Sequence, residues 1–158
     1  MRILVVSDTH RHVSEFLIKL NDIKKPDIFV FLGDNVDDGE RIAAKLQVPS
    51  YIIAGNGDWG TFYPQELVIE AAGRKILLTH GHKYNVKYDL NRLYYHAVEQ
   101  GVDIVLFGHT HVPMRRIGEE LLMMNPGSPS LPRGGLTRGS YGELELNDKV
   151  IPKIFFMR

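Results

Sequence analysis

The stretch VLFGHTH, residues 105–111, decides how this sequence is read. An apolar run of this kind belongs in a strand covered on both faces. It ends, though, in two histidines with one threonine between them. Four other apolar runs end in a similar way. Ile3–Val6 leads into SDTH (7–10), Asp27–Leu32 into LGDN (32–35), Ser50–Ala54 into AGNGD (54–58), and Lys75–Thr79 into THGH (79–82). In α/β sheets ligands sit beyond the carboxyl ends of the strands, where loops from several strands converge. Five strand ends carrying Asp, Asn or His therefore point to one shared site.

Between these strands the pattern turns helical. Val13, Phe16, Leu17, Leu20 and Ile23 fall on one face of a helix over Val13–Ile23. Gly39–Leu46 and Val86–Gln100 read as two further helices. Leu67–Ala72 and Lys75–Thr79 flank a turn at Gly73, which predicts a hairpin, and Val102–Phe107 is the next strand. Beyond it Glu120–Met124, Ser140–Leu146 and Ile151–Met157 are strands joined by Gly, Pro and Asn-rich turns with no helix between them. Alternating β and α followed by a β-rich tail predicts an α/β fold of two sheets packed face to face with helices outside, in one domain over residues 1–158.

Composition narrows the function classes. Lys+Arg and Asp+Glu balance at 19 each, so there is no basic footprint for extended nucleic acid. The chain has no cysteine, and any metal must be held by His, Asp, Glu or Asn. No apolar run approaches the roughly 18 residues that span a bilayer, so no membrane partner is expected. MRILVVSD reads as a first strand rather than a secretory signal, which makes the cytoplasm the expected location.

Asp8 and His10 are one residue apart, as are His109 and His111. If the chain is still extended there, each pair projects to one side. Gly33, Gly55, Gly81 and Gly108 sit beside the polar residues, where sharp turns or close backbone approach are needed. Singly, each His or Asp has an ordinary reading as a satisfied structural histidine, a turn former or a cap. Gathering Asp8, His10, Asp34, Asn56, His80, His109 and His111 at one place is different. Their joint desolvation costs several kcal/mol unless cations compensate it. Seven N and O donors without sulfur suit a pair of divalent ions of the Mn, Fe, Co, Ni or Zn type.

SDTH, GD, GNGD, THGH and GHTH, in this order, resemble the motifs of the calcineurin-like metallophosphoesterases, and the match spans nearly the whole chain. The small size, the GNxD form and MNPGSPSLPR (124–133) look most like the compact bacterial and archaeal phosphodiesterases of the YfcE type. The resemblance implies a four-layer αββα sandwich of two mixed sheets. It also allocates the donors: Asp8, His10 and His111 to one metal, Asn56, His80 and His109 to the other, with Asp34 bridging. The ions implied are Mn²⁺ or Ni²⁺ first, with Zn²⁺, Fe²⁺ or Co²⁺ as alternatives. The reaction implied is hydrolysis of a small phosphodiester by a water or hydroxide bridging the two ions, with Asp34, Asn56 and His80 in the catalytic set.

One position departs from the family pattern. Many larger relatives carry His in the third motif, proposed to protonate the leaving group or to bind phosphate, where this chain has Gly57. A general acid contributes typically about 10²–10⁴-fold, so activated aryl esters should be preferred and monoesterase activity weak. His82 is a candidate substitute donor. Arg11, Asp58 and Arg133 are candidates for contacting substrate; for Asp58 the alternative is a purely loop-fixing role. Asn125 and Ser128 are expected to line or buttress the site, and His12 and His96 to lie on the surface. Trp59, Phe62 and Tyr63 are expected to pack internally, with a substrate wall or a homo-oligomer contact as alternatives. Two other function classes are weighed: a protein-interaction scaffold on the same fold, and a nuclease, which the neutral charge disfavours. The complete donor set favours the enzyme.

Overall fold

A computed structural model describes residues 1–158 as ten strands and three α-helices. β1 (Arg2–Val6), β2 (Ile28–Phe31) and β3 (Ser50–Ile52) run parallel, β9 (Ser140–Leu146) pairs antiparallel with β1, and β10 (Val150–Phe156) pairs antiparallel with β9, in the order β10-β9-β1-β2-β3. The second sheet is β4-β5-β6-β8-β7, from Glu66–Ala71, Arg74–Thr79, Ile104–Phe107, Leu122–Asn125 and Met114–Ile117 respectively. In it β5, β6 and β8 are parallel, with antiparallel β4 and β7 at its edges.

The alternation of side chains in each strand explains the layers. Ile3, Val5, Val30 and Leu32 point inward from the first sheet and meet Ile76, Leu78, Ile104 and Leu106 of the second. Leu4, Val6, Phe29 and Phe31 point the other way, onto Phe16 of α1 (Ser14–Lys19) and Ile42 of α2 (Val36–Leu46). Leu77, Val105 and Phe107 likewise meet Leu93 and Ala97 of α3 (Asn91–Gln100). The result is the αββα sandwich, two mixed five-stranded sheets between helices. No helix is long and apolar enough to cross a membrane.

Element bounds differ from expectation where distant residues intervene. The helix expected over Val86–Gln100 begins at Asn91, whose N–H bonds the Asp89 carboxylate at 2.8 Å, a local turn that starts the helix there. The helix expected at Gly39 begins three residues earlier, at Val36, because Asp58 from another loop receives its first N–H groups. Strand β7 has no counterpart in the sequence reading: Met114–Ile117 carries two adjacent arginines, which mask a strand that lies at a sheet edge.

Leu106 is wholly buried between the sheets. Leu106→Ala is expected to lower stability by about 3 kcal/mol, read from urea unfolding, through lost burial and the cavity left behind.

Candidate metal centre

The carboxyl ends of the parallel strands of both sheets meet at one rim, and all five motifs lie on it. Cross-sheet bonds fix this meeting. His80 Nδ1, at the end of β5, lies 2.7 Å from the Leu32 carbonyl at the end of β2. The His109 N–H donates to Asp8 Oδ2 at 2.9 Å. Gly108 makes the approach of the two sheets possible, since a Cβ there would fall 2.0 Å from Ser7 Oγ. Gly55 does the same within the first sheet, where a Cβ would fall 2.2 Å from Asp34 Oδ1.

The seven expected donors are brought together as two sets. Asp8, His10 and His111 converge in one, and Asp34, His80 and His109 in the other. Asn56 joins the second, its Oδ1 3.1 Å from His80 Nε2. Asp34 stands between them: its Oδ2 is 3.4 Å from His10 Nε2 and 3.4 Å from His80 Nε2. His10 Nε2 and His111 Nε2 lie 3.1 Å apart, and His109 Nδ1 is 3.2 Å from His80 Nε2. Asp8 Oδ1 is 3.4 Å from His111 Nε2, is buried, and has no hydrogen-bond partner.

The backbone reaches this arrangement by a route other than the expected one. The paired donors do not lie on extended chain. Asp8, His10, Asp34, His109 and His111 all have positive φ, between 47° and 70°. Each such residue costs about 1–2 kcal/mol relative to ordinary backbone, and strain of this kind concentrates at functional sites. It brings Asp8 and His10 into one set and divides His109 from His111, where a strand would have aligned both pairs.

The chemistry of the donors is that of a cation site. His111 Nδ1 lies 2.7 Å from the Leu131 carbonyl, as His80 Nδ1 does from that of Leu32. A carbonyl only accepts, so each Nδ1 carries a proton, and each ring in its neutral form offers a bare lone pair at Nε2. The His80 Nε2 faces Asp34 and His109 Nδ1, and the His111 Nε2 faces Asp8 and His10 Nε2. Divalent ions hold N and O donors at about 2.0–2.2 Å, which spaces donors on one ion roughly 3.0–3.5 Å apart. The separations above, the tautomers and the unpartnered Asp8 Oδ1 fit two divalent ions.

Electrostatics set the protonation cost. Burial opposes charge on Asp34, but the His80 hydrogen bond and charge, the Gly57 N–H and His10 outweigh it and hold its pKa far below the carboxylate range. Burial also opposes charge on His80, yet Asp34, Asp8 and the Leu32 carbonyl raise its pKa above the ordinary value. His109 is pushed down to about 4 by burial and by His80 and Lys87. Burial lowers His111 as well, against the pull of Asp8.

The other candidates divide. His82 lies beside the donors, its ring 5.5 Å from His80 and 6.1 Å from His109, with a buried Nδ1 that has no partner. Arg11 lines a small depression together with His10, Asp34, Asn35 and Gly57. The Arg133 N–H donates to the His111 carbonyl at 3.4 Å and its side chain is exposed. The substrate-contact expectation for Asp58 is corrected. Its Oδ1 accepts from the N–H groups of Asn35 and Val36, both at 2.9 Å, and its Oδ2 from Asp34 at 2.9 Å and Gly55 at 2.8 Å. The carboxylate is spent on four backbone donors and clamps the GD and GNGD loops together. Asn125 and Ser128 buttress the rim, bonding the Gly108 carbonyl at 2.8 Å and the Asp8 carbonyl at 2.7 Å.

Two surface expectations are also corrected. His96 is half-buried, 2.8 Å from Glu66 and stacked on Tyr84. Trp59 is 90% exposed and Phe62 fully so, because the Asp58 clamp holds the loop by its base and turns both rings outward. Tyr63 alone turns back, donating to Glu40 at 2.8 Å.

Residues 1–149 match the model of the calcineurin-like phosphoesterase superfamily domain. The chain belongs to this family. It is 34% identical over 157 residues to a probable metallophosphoesterase, YsnB, of Bacillus subtilis, covering 99% of this chain and 90% of that one. It is 29% identical over 169 aligned residues to the phosphodiesterase YfcE of Escherichia coli K12, covering 92% and 88%. Among solved structures, Vps29 of Entamoeba histolytica complexed with Zn²⁺ superposes with a TM-score of 0.81 at 21% identity over 99% of both chains, a likeness of fold.

Two outcomes follow from this geometry. Asp58→Ala leaves four loop N–H groups without their acceptor and should cost about 2–4 kcal/mol in urea unfolding. Loading the Asp34, His80 and His109 set must displace the proton that His80 holds above its ordinary pKa. Metal affinity should therefore fall with decreasing pH through the histidine range, with proton release visible as a buffer-dependent heat in calorimetry.

Proposed function

We propose that this protein is a binuclear metal-dependent phosphodiesterase acting on small phosphate diesters. The observation that carries this reading is the position of the Asp34 carboxylate, 3.4 Å from an imidazole nitrogen of each donor set. Asp8, His10 and His111 would hold one ion, Asn56, His80 and His109 the other, and Asp34 both. Mn²⁺ or Ni²⁺ is the first choice for hard O and N donors of this number, with Zn²⁺, Fe²⁺ and Co²⁺ as alternatives. When bound, such a pair supplies an activated water as nucleophile and neutralises charge on the phosphoryl oxygens.

The chain's own residues do the rest. The Leu32 and Leu131 carbonyls orient His80 and His111. Arg11 and Arg133 would meet phosphate oxygens through their guanidinium groups. His82 takes the proton-donating role for which Gly57 has no side chain. Burial and the charges of His80 and Lys83 lower its pKa, so it is largely neutral at pH 7 and a weak source of protons. Poor alkoxide leaving groups suffer most from that, and activated aryl diesters should be the better substrates. The likeness to Vps29 supports a second reading, a metal-binding scaffold for a protein partner on the same fold.

Chelator-treated protein resupplied with Mn²⁺, Ni²⁺, Zn²⁺ or Mg²⁺ should cleave bis-p-nitrophenyl phosphate well ahead of p-nitrophenyl phosphate. His109→Ala and Asp34→Asn should each lower kcat/KM by at least about 100-fold. Protein that binds two ions yet cleaves neither ester with any of them would favour the scaffold.

A further inference from the structure

Arg11, His12, Ser130, Thr137, Arg138 and Arg158 line a cavity of about 490 Å³, a size typical of small-molecule sites. Three arginines and one acidic residue, Glu15, are among its lining residues. None of the three arginines takes part in an ion pair. In a chain with net charge +0 this is a local concentration of cationic donors rather than a general field. The Arg138 Nε–H donates to the Met157 carbonyl at 2.7 Å, which fixes the plane of the guanidinium and leaves its terminal NH₂ groups unspent.

The walls are fixed and continuous with the metal centre. The Arg11 N–H donates to Asp38 Oδ2 at 2.9 Å, holding the residue at φ 68°. The Ser130 hydroxyl donates to the Thr9 carbonyl at 2.9 Å, and the Leu131 carbonyl receives the His111 ring proton. Arg11 lines both this cavity and the depression that holds His10 and Asp34, so the two adjoin at this residue.

We propose that the cavity is an anion subsite, and that the diester cleaved at the centre carries a second phosphate on one arm, seated between Arg11, Arg138 and Arg158. The proposal rests on the phosphodiesterase reading above. Guanidinium groups suit it because their planar forks bind phosphate oxygens bidentately. Pro129, Leu131, Pro132 and Met157 form the apolar part of the wall, and the arginines supply the cationic donors that select a phosphate.

The test compares two esters, thymidine 5′-(p-nitrophenyl phosphate) and the same compound bearing a 3′-phosphate. With metal supplied, the 3′-phosphorylated ester should show a KM about tenfold lower. Arg138→Ala should abolish that preference. So should Thr137→Glu, which leaves the Arg138–Met157 bond intact and places a carboxylate in the cavity. Cleavage of both esters with equal KM would overturn the subsite and leave the phosphodiesterase reading standing. If neither ester is cleaved with any ion, that reading fails and the subsite is judged by equilibrium binding of pyrophosphate to the metal-free protein. Binding weakened about tenfold by Arg138→Ala upholds the subsite, and binding that is absent or unchanged in the variant overturns it.

Discussion

Two buried carboxylates and two imidazole lone pairs face one another where the strands of both sheets end, and the rest of the molecule is arranged around that confrontation. Asp8 and Asp34 can only accept hydrogen bonds when ionised. His80 and His111 have committed their ring protons to main-chain carbonyls and present acceptors as well. Acceptors crowded together without protons between them repel, and burial removes the water that would screen them. A pair of divalent cations would resolve the conflict. Protonating His80 resolves it only in part, and the upward shift of its pKa records that pressure.

Holding such a set requires rigid support from both sheets. The inner core of Ile3, Val5, Val30 and Leu32 against Ile76, Leu78, Ile104 and Leu106 fixes one sheet relative to the other. Donors from each sheet therefore arrive at one rim in register. Across that rim the His80–Leu32, His109–Asp8 and Ser128–Asp8 bonds join the two halves directly. Left-handed backbone at five of the donors is the cost of turning their side chains inward. The Asp58 clamp helps to hold it, since one carboxylate binds the loops that carry Asp34 and Asn56.

Much of this was legible in the sequence, for identifiable reasons. Strands covered on both faces show as unbroken apolar runs, and the polar residues that end them mark the rim where ligands bind. Other features depend on partners distant in the chain and leave no local signal. The extended reading of Asp8–His10 and His109–His111 failed because the strands end at Val6 and Phe107, before either pair. Asp58 gave no sign that it caps α2 from another loop, since its four donors are contributed by residues 34–36 and 55. The Leu131 carbonyl that sets the His111 tautomer comes from twenty residues away. The outward display of Trp59 and Phe62 follows from that same clamp, and a reading based on hydrophobicity alone buried them.

The most direct measurement is the metal stoichiometry of the chelator-treated chain, titrated with Mn²⁺ or Ni²⁺ and followed by calorimetry with elemental analysis of the product. Two ions per chain are expected, with both affinities weakened together by Asp34→Asn because that carboxylate serves both sets. A single ion per chain, or two whose affinities ignore Asp34→Asn, would contradict a centre built on a shared carboxylate.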